Sequence, residues 1–332
     1  MRSFKGKDQD KRATPLATAD PRPATEAKRL DDALFVRATD RLRSMRPDEP
    51  TISVVIPALN EADNLALVLP TLAPNLHEVL LVDGASDDGT LEVARRSYPG
   101  IRTIAQSGRG KGDALRTGFA SATGDIIVML DADGSASPAE IPAFVGALRS
   151  GADFAKGSRF LHGAGTDDIT IARRFGNWVF VTLVRLLFGG RYSDLCYGYN
   201  AFWRDVLPAL RLNDDGFEIE AAMNIRALKA RLRVVEVASF ERCRLHGASK
   251  LRTVADGWRV LKTIFRERFT RFPHELQPLL AVVDDHLVAA PGRGRTVPLG
   301  LRQAEGVFAA GAASPAPRPG FDSNRSSPPG SH

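Results

Sequence analysis

The sequence predicts an α/β fold, a mostly parallel sheet with helices on both faces, flanked by disordered N- and C-terminal tails. Three observations predict it. Short β-branched apolar runs alternate with helical stretches from about residue 50 to 160, and the connections between them are short. That order closes through right-handed crossovers and leaves a parallel sheet covered on both sides. Polar residues and glycines gather where the strands end, which is where ligands bind in such sheets.

The first strand is Ile52–Pro57 (ISVVIP), apolar without alternation and therefore buried on both faces. Asn60 or Asp63 can cap a helix running to about Leu72. Val79–Val82 is the next strand, and Ser86 and Asp87 can cap a helix through Arg96. Ile101–Ala105 is a strand, Asp113–Ala122 a helix and Asp125–Leu130 (DIIVML) a strand. Pro138 stands where proline opens a helix, here one running to about Arg149, and Phe154 starts another strand.

The chain has 332 residues, 43% of them apolar and 25% charged, enough to bury a full core. Two cysteines, Cys196 and Cys243, do not make a disulfide framework. Residues Arg2 to Arg29 are charged and polar, without the apolar centre of a secretory signal. The longest apolar segment, Phe175–Phe188, is shorter than the roughly 20 residues that span a bilayer and is interrupted by Arg185, so no transmembrane helix is expected. The formal charge of +6 fits phosphorylated ligands or an anionic membrane surface. No nucleic-acid partner is expected, because the basic residues are scattered among acids and no binding motif is present. Four stretches follow: a flexible arm over 1–48, in which Asp31–Arg43 can form a short helix; an alternating strand-and-helix half over 49–160, which the family resemblance given below makes the donor-binding half; a half with amphipathic helices over 161–272, which the same resemblance makes the acceptor-binding half; and a largely disordered tail over 273–332.

Four successive strand ends carry polar chemistry. Pro57, Asn60 and Glu61 follow the first; Asp83 and Gly84 the second; Gly108, Arg109, Gly110, Lys111 and Gly112 the third; Asp131 and Asp133 the fourth. Asp131 and Asp133, two apart, lie on one side of an extended chain, and a turn after Leu130 lets both reach one ion. Hard carboxylate oxygens favour Mg²⁺ or Mn²⁺. A plain Asp-Gly turn with a helix cap is the structural alternative. In SGRGKGDAL the glycines permit close backbone approach and the cations precede a helix N-terminus, which suits a diphosphate. It is neither a Walker loop nor a dinucleotide fingerprint, and a surface loop is the alternative.

The motifs SVVIPALNE, VDGASDDGT, GRGKGDALRTGF, ATGDIIVMLDADGS, GSRF, SDLCYGYNAFWRDVL, FEIE and HGASK, in order over about Thr51 to Leu251, resemble glycosyltransferase family 2. Within it, the resemblance is to the dolichol-phosphate mannosyltransferase or polyprenyl-phosphate glycosyltransferase branch. It implies a GT-A fold, a nucleotide-diphospho-sugar donor of the UDP-glucose or GDP-mannose type, and inverting hexose transfer, with polyprenyl phosphate as the expected acceptor. Through it Pro57, Asn60, Glu61 and Asp83 are expected nucleoside contacts, Lys111 a donor contact, and Asp131 and Asp133 the metal and diphosphate site, with Ser135 joining the shell. Arg159 corresponds to an arginine that meets a phosphate. Arg173 and Asn177 fall near the acceptor phosphate, Asp194 and Glu220 match acidic positions, and His246, Ser249 and Lys250 match a closing loop.

Two departures stand out. Asp83-Gly84-Ala85-Ser86 replaces the usual Asp-Asp-Gly-Ser, so a second carboxylate is missing, and Ser135 stands where the branch often has glutamine. A hydroxyl acceptor would need a general base, for which Asp194 and Glu220 are the candidates. A phosphomonoester, with a second pKa of about 6, arrives ionised and needs cations instead, here Arg159, Arg173 and Arg174. The Arg173–Phe188 and Leu251–Phe272 segments suit a membrane interface, and a core or dimer helix is the alternative. The expected setting is cytoplasmic or peripheral on the inner membrane face. The other readings are a soluble transferase acting on a hydroxyl, a nucleotidyltransferase and a non-catalytic binding protein.

Overall fold

The structure, a computed structural model, describes residues 39–247 and 252–270. The expected tail and Lys250 lie outside the described residues. The described residues begin with helix α1, over 39–45. The first half then runs β1 (Ile52–Ala58), α2 (Ala62–Val68), β2 (Glu78–Asp83), α3 (Thr90–Ser97), β3 (Arg102–Ala105), α4 (Lys111–Ser121), β4 (Ile126–Met129), α5 (Ile141–Arg149) and β5 (Phe154–Ser158). The second half adds β6 (Gly165–Thr166), α6 (Ile171–Phe188), β7 (Asn200–Trp203), α7 (Leu207–Leu210), α8 (Ile219–Lys229), β8 (Val234–Ala238), β9 (Phe240–Glu241) and α9 (Thr253–Phe269).

Seven strands form one sheet in the order β3-β2-β1-β4-β7-β5-β8. β1 pairs in parallel with β2 and β4, β2 with β3, and β5 with β8. β7 alone runs antiparallel, between β4 and β5. The sheet is therefore mixed but mostly parallel. Because β7 reverses, β4 and β5 point the same way, and the ends of β1, β2, β4, β5 and β8 meet the start of β7 along one edge. The central strands read as near-continuous apolar runs because both faces are covered: Val54, Val55, Ile56, Leu80, Leu81, Val82 and Ile126 to Met129 are fully buried. The sheet crosses residue 160, so the 49–160 and 161–272 stretches share the main core, while a second, smaller hydrophobic cluster including Val184, Leu195, Val260 and Ile264 lies within the later stretch.

Part of the expected N-terminal arm is docked. Arg43 and Arg46 both bond Asp153, Arg46 also bonds Asp205, and its guanidinium lies 4.8 Å over the Trp203 ring. This pins α1 to the sheet beside β7.

Glu78 at the start of β2 collects bonds from Ser53 of β1, from the amide and hydroxyl of Thr123, and from Arg102 of β3. Burial works to raise its pKa, but these donors outweigh it and hold the carboxyl at about 2. A depressed carboxylate stabilises the fold above its unfolded value of 4.5 and loses that contribution as pH falls toward 2. Glu78→Gln should lower stability at pH 7 by about 1–2 kcal/mol. It should also flatten the loss of stability between pH 4.5 and 2, read as urea midpoints across pH.

Candidate active site

The shared strand edge opens into a cavity of about 810 Å³. It is lined at one end by Pro57, Glu61, Gly84, Arg109, Gly110 and Lys111, in the middle by Asp131, Asp133, Ser135, Arg159 and Glu220, and at the far end by residues of α6 and α9.

The expected nucleoside contacts divide. Pro57 and Glu61 line the cavity. Asn60 and Asp83 do not, and both tie loops together. The Asn60 amide donates to Ser86, its side-chain oxygen accepts from the Asp87 amide, and Asp83 accepts from the Ser86 amide. Gly84, in place of the second family carboxylate, is the cavity-facing residue of that turn. Ala85 sits at φ 68, a conformation that costs a side-chain-bearing residue energy.

The glycine-rich loop owes its glycines to packing as well as to the cavity. A Cβ on Gly110 or Gly112 would come within 2.4 Å of the Asp215 or 2.3 Å of the Asp214 carbonyl oxygen. The Gly112 amide donates to Asp215 at 2.7 Å. Gly110 and Gly112 thus admit the 214–215 backbone, and Gly110 also lines the cavity.

That packing fixes Lys111 at the start of α4. Its Nζ lies 2.7 and 2.9 Å from the two Asp131 oxygens and 2.7 Å from Glu220 Oε1. Burial works to lower the Lys111 pKa, and the two carboxylates more than reverse it. Burial, aided by Asp131, pushes Glu220 up against the pull of Lys111.

Asp133 accepts from the Ser135 amide at 3.0 Å and faces Arg244 at 3.3 Å. Arg244 also grips Glu61 at 2.9 Å. The segment carrying Arg244 lies across the pair: Arg242 donates its amide to Ser135, Leu245 to Asp133, and His246 to the Asn64 side chain.

The two aspartates fit a divalent cation. Both line the cavity and keep part of their surface open, 29% and 20%, and their oxygens are hard donors. Among the described residues no group of three or more His, Cys, Asp or Glu side chains assembles for an ion. A Mg²⁺-type site completed by phosphate and water needs only one or two carboxylates.

Arg159, at the end of β5, makes a two-pronged contact with Asp194 at 2.7 and 3.0 Å and reaches Glu241 at 3.0 Å. Its guanidinium lies 5.0 Å over the Tyr197 ring. Asp194 is fully buried; burial works to raise it, and the bonds and charge of Arg159 hold it below the usual carboxylate range. Asp194 is not among the residues that line the cavity. Lys156, also fully buried, donates to the carbonyls of Gly157 and Tyr197 and so holds β5 to the segment before β7.

Arg173 lines the cavity and pairs with Asp168 at 3.3 Å. Asn177 lines it too, but its amide oxygen accepts from Leu195 and its nitrogen donates to Ser193, fastening α6 to the 193–195 turn. Sequence reasoning missed Arg244 and Glu241. Their only local signal is the run ERCR just before the HGASK motif.

Comparisons with known proteins bear on the family and the fold. The model described as Glycosyl transferase family 2 matches residues 53–211. The undecaprenyl-phosphate mannosyltransferase of Micrococcus luteus is 30% identical, over 56% of this chain and 81% of that one. The polyprenol monophosphomannose synthase of Mycolicibacterium smegmatis is 31% identical, over 63% and 83%. The chain belongs to glycosyl transferase family 2. It is a glycosyltransferase. Its fold is also that of glucosyl-3-phosphoglycerate synthase from Mycobacterium tuberculosis, solved with Mn²⁺, UDP and glucosyl-3-phosphoglycerate. That match has a TM-score of 0.55 and 24% identity, and covers 77% of this chain and 89% of that one. The expected GT-A architecture therefore holds for this family 2 transferase.

Asp194→Asn separates an anchoring role from a catalytic one. Removing one partner of a buried pair costs about 3–5 kcal/mol. The variant should therefore lose thermal stability together with turnover, as read by calorimetry beside activity. Lost turnover at unchanged melting temperature would instead mark Asp194 as the base.

Proposed function

We propose that the enzyme transfers a hexose, with inversion, from a nucleotide-diphospho-sugar to a polyprenyl phosphate. In this reading Asp131 and Asp133 hold Mg²⁺ or Mn²⁺ against the donor diphosphate. The observation that carries the proposal is the course of the cavity. From Asp131 and Asp133 it passes Arg159 and continues between α6 and α9, where Ile169, Ala172, Gly176, Phe180, Gly257 and Val260 line it and Arg173 stands at the junction. Such a passage suits an anionic head joined to a long apolar chain.

The state of the two candidate bases points the same way. Asp194 lies under Arg159, and Glu220 is bonded to Lys111. A hydroxyl acceptor needs a free base, whereas a phosphomonoester brings its own charge and needs fixed cations. Arg159, held on three sides, offers one that requires no reorganisation. When bound, the metal would supply charge neutralisation to the departing diphosphate.

Peripheral membrane contact belongs to the same reading. Among the described residues no helix is long and apolar enough to cross a membrane. α6 exposes Ile171, Phe175, Trp178 and Leu186, and α9 exposes Val254, Trp258, Phe265 and Phe269, each set along one helical stripe. The exposed charges on these helices are all positive: Arg174 and Arg185 on α6, and Arg259, Lys262, Arg266 and Arg268 on α9. The acids of α9, Asp256 and Glu267, are buried. Aromatic side chains beside exposed cations, of which Arg259 and Arg266 are paired with buried Asp256 and Asp214, suit an anionic bilayer such as the inner leaflet. A second copy of the same basic face would be repelled.

The assay uses labelled UDP- and GDP-hexoses with Mn²⁺ and either undecaprenyl phosphate or a hydroxyl glycan. Transfer is expected to the phosphate, with at least a tenfold loss for Arg173→Glu and loss of metal-dependent turnover in a folded Asp133→Ala. Transfer to the hydroxyl acceptor alone would overturn the acceptor assignment. Co-sedimentation with phosphatidylglycerol vesicles should fall several-fold in Trp178→Ala/Trp258→Ala and be unaffected by Asp133→Ala.

A further inference from the structure

The two aspartates at the end of β4 share a repeated arrangement. Lys111 bridges Asp131 and Glu220, and Arg244 bridges Asp133 and Glu61. Each cation thus holds one member of the pair and one glutamate outside it. Both glutamates are 6% exposed. The first bridge is packed under Gly198, where a Cβ would lie 2.8 Å from Glu220 Oε1, 2.9 Å from Asp131 Oδ2 and 3.0 Å from Lys111 Nζ. The second lies under the 242–247 segment, whose Leu245 side chain closes on Gly134. Four carboxylates face two cations in these bridges, a formal excess of two negative charges that one divalent ion would match.

We propose that Lys111 and Arg244 compete with the divalent cation for Asp131 and Asp133, and that the donor's diphosphate draws them off, so that metal and nucleotide bind as one unit. The proposal rests on the metal-dependent reading above. A metal approaching alone meets aspartates already engaged by short contacts, and displacing either cation strips it of half its partners. A diphosphate offers that half back, since ammonium and guanidinium groups bond phosphate oxygens as well as they bond carboxylates. Glu220 and Glu61 are the fixed ends of the exchange: each keeps its cation within reach while the aspartate changes partner. They act as positioning residues through Lys111 and Arg244.

The test is Mn²⁺ binding to the full-length protein by electron paramagnetic resonance, alone and with saturating UDP or GDP. Wild type should bind Mn²⁺ weakly alone and at least tenfold more tightly with a nucleotide. Lys111→Gln and Arg244→Gln should each bind Mn²⁺ alone about fivefold more tightly than wild type and lose most of the nucleotide-induced gain. Should Lys111→Gln fail to fold because Glu220 is left unpaired, Lys111→Gln/Glu220→Gln removes both charges and gives the same readout. Unchanged or weaker Mn²⁺ binding in the folded variants overturns the competition while leaving the metal reading intact. Absence of Mn²⁺ binding to wild type under every condition overturns the metal reading itself.

Discussion

The site depends on one reversal of direction. β7 enters the sheet antiparallel between β4 and β5, so the two flanking strands run the same way and end on the same edge. That places Asp131 after β4 and Arg159 after β5 on either side of the segment leading into β7. The same segment supplies Gly198 against Lys111, Asp131 and Glu220, and Tyr197 under Arg159. Lys156 holds the arrangement from beneath through two backbone carbonyls. A buried ammonium without a carboxylate in contact is costly, and burial accordingly lowers its pKa. Its place is explained by the backbone it joins.

The electrostatics of the cavity are built from carboxylates held by cations, and the energetics differ between the pairs. Arg159 and Asp194 are nearly sealed from solvent, so either left alone would be an uncompensated buried charge. Asp131 and Asp133 keep more of their surface open, 29% and 20%. The wall is therefore sealed around Arg159 and Asp194 and more open around the aspartate pair. α6 and α9 follow a similar division: each packs one face against the second hydrophobic cluster, through Val184, Val260 and Ile264, and leaves an apolar stripe outside.

The parallel strands were legible because burial on both faces writes an uninterrupted apolar run, as in DIIVML. Their shared edge was legible because polar residues followed each run. The direction of β7 was not, since NAFW carries no local mark of which way it pairs. Asp131 and Asp133 could be named from a six-residue motif. Arg244 could not be paired with Glu61, because 183 residues separate them. The docked part of the N-terminal arm was hidden for the same reason: Arg43 and Arg46 look like solvated charges until Asp153, more than 100 residues away, comes beneath them. Asp194 shows the converse limit. Its chemistry makes it a candidate base, but its burial and its bond to Arg159, 35 residues away, carry no local mark in the sequence.

The tight contact between the glycine-rich loop and the 214–215 backbone narrows how this loop can diversify. Gly110 and Gly112 have no room for a methyl group, and Lys111 between them is bonded twice. Of the four consecutive residues 109–112, only Arg109 is both exposed and turned to the cavity without such a tie. Natural drift or laboratory evolution seeking a different leaving group at this corner would thus have a one-letter alphabet to work with, and would have to write the rest of its changes on other loops.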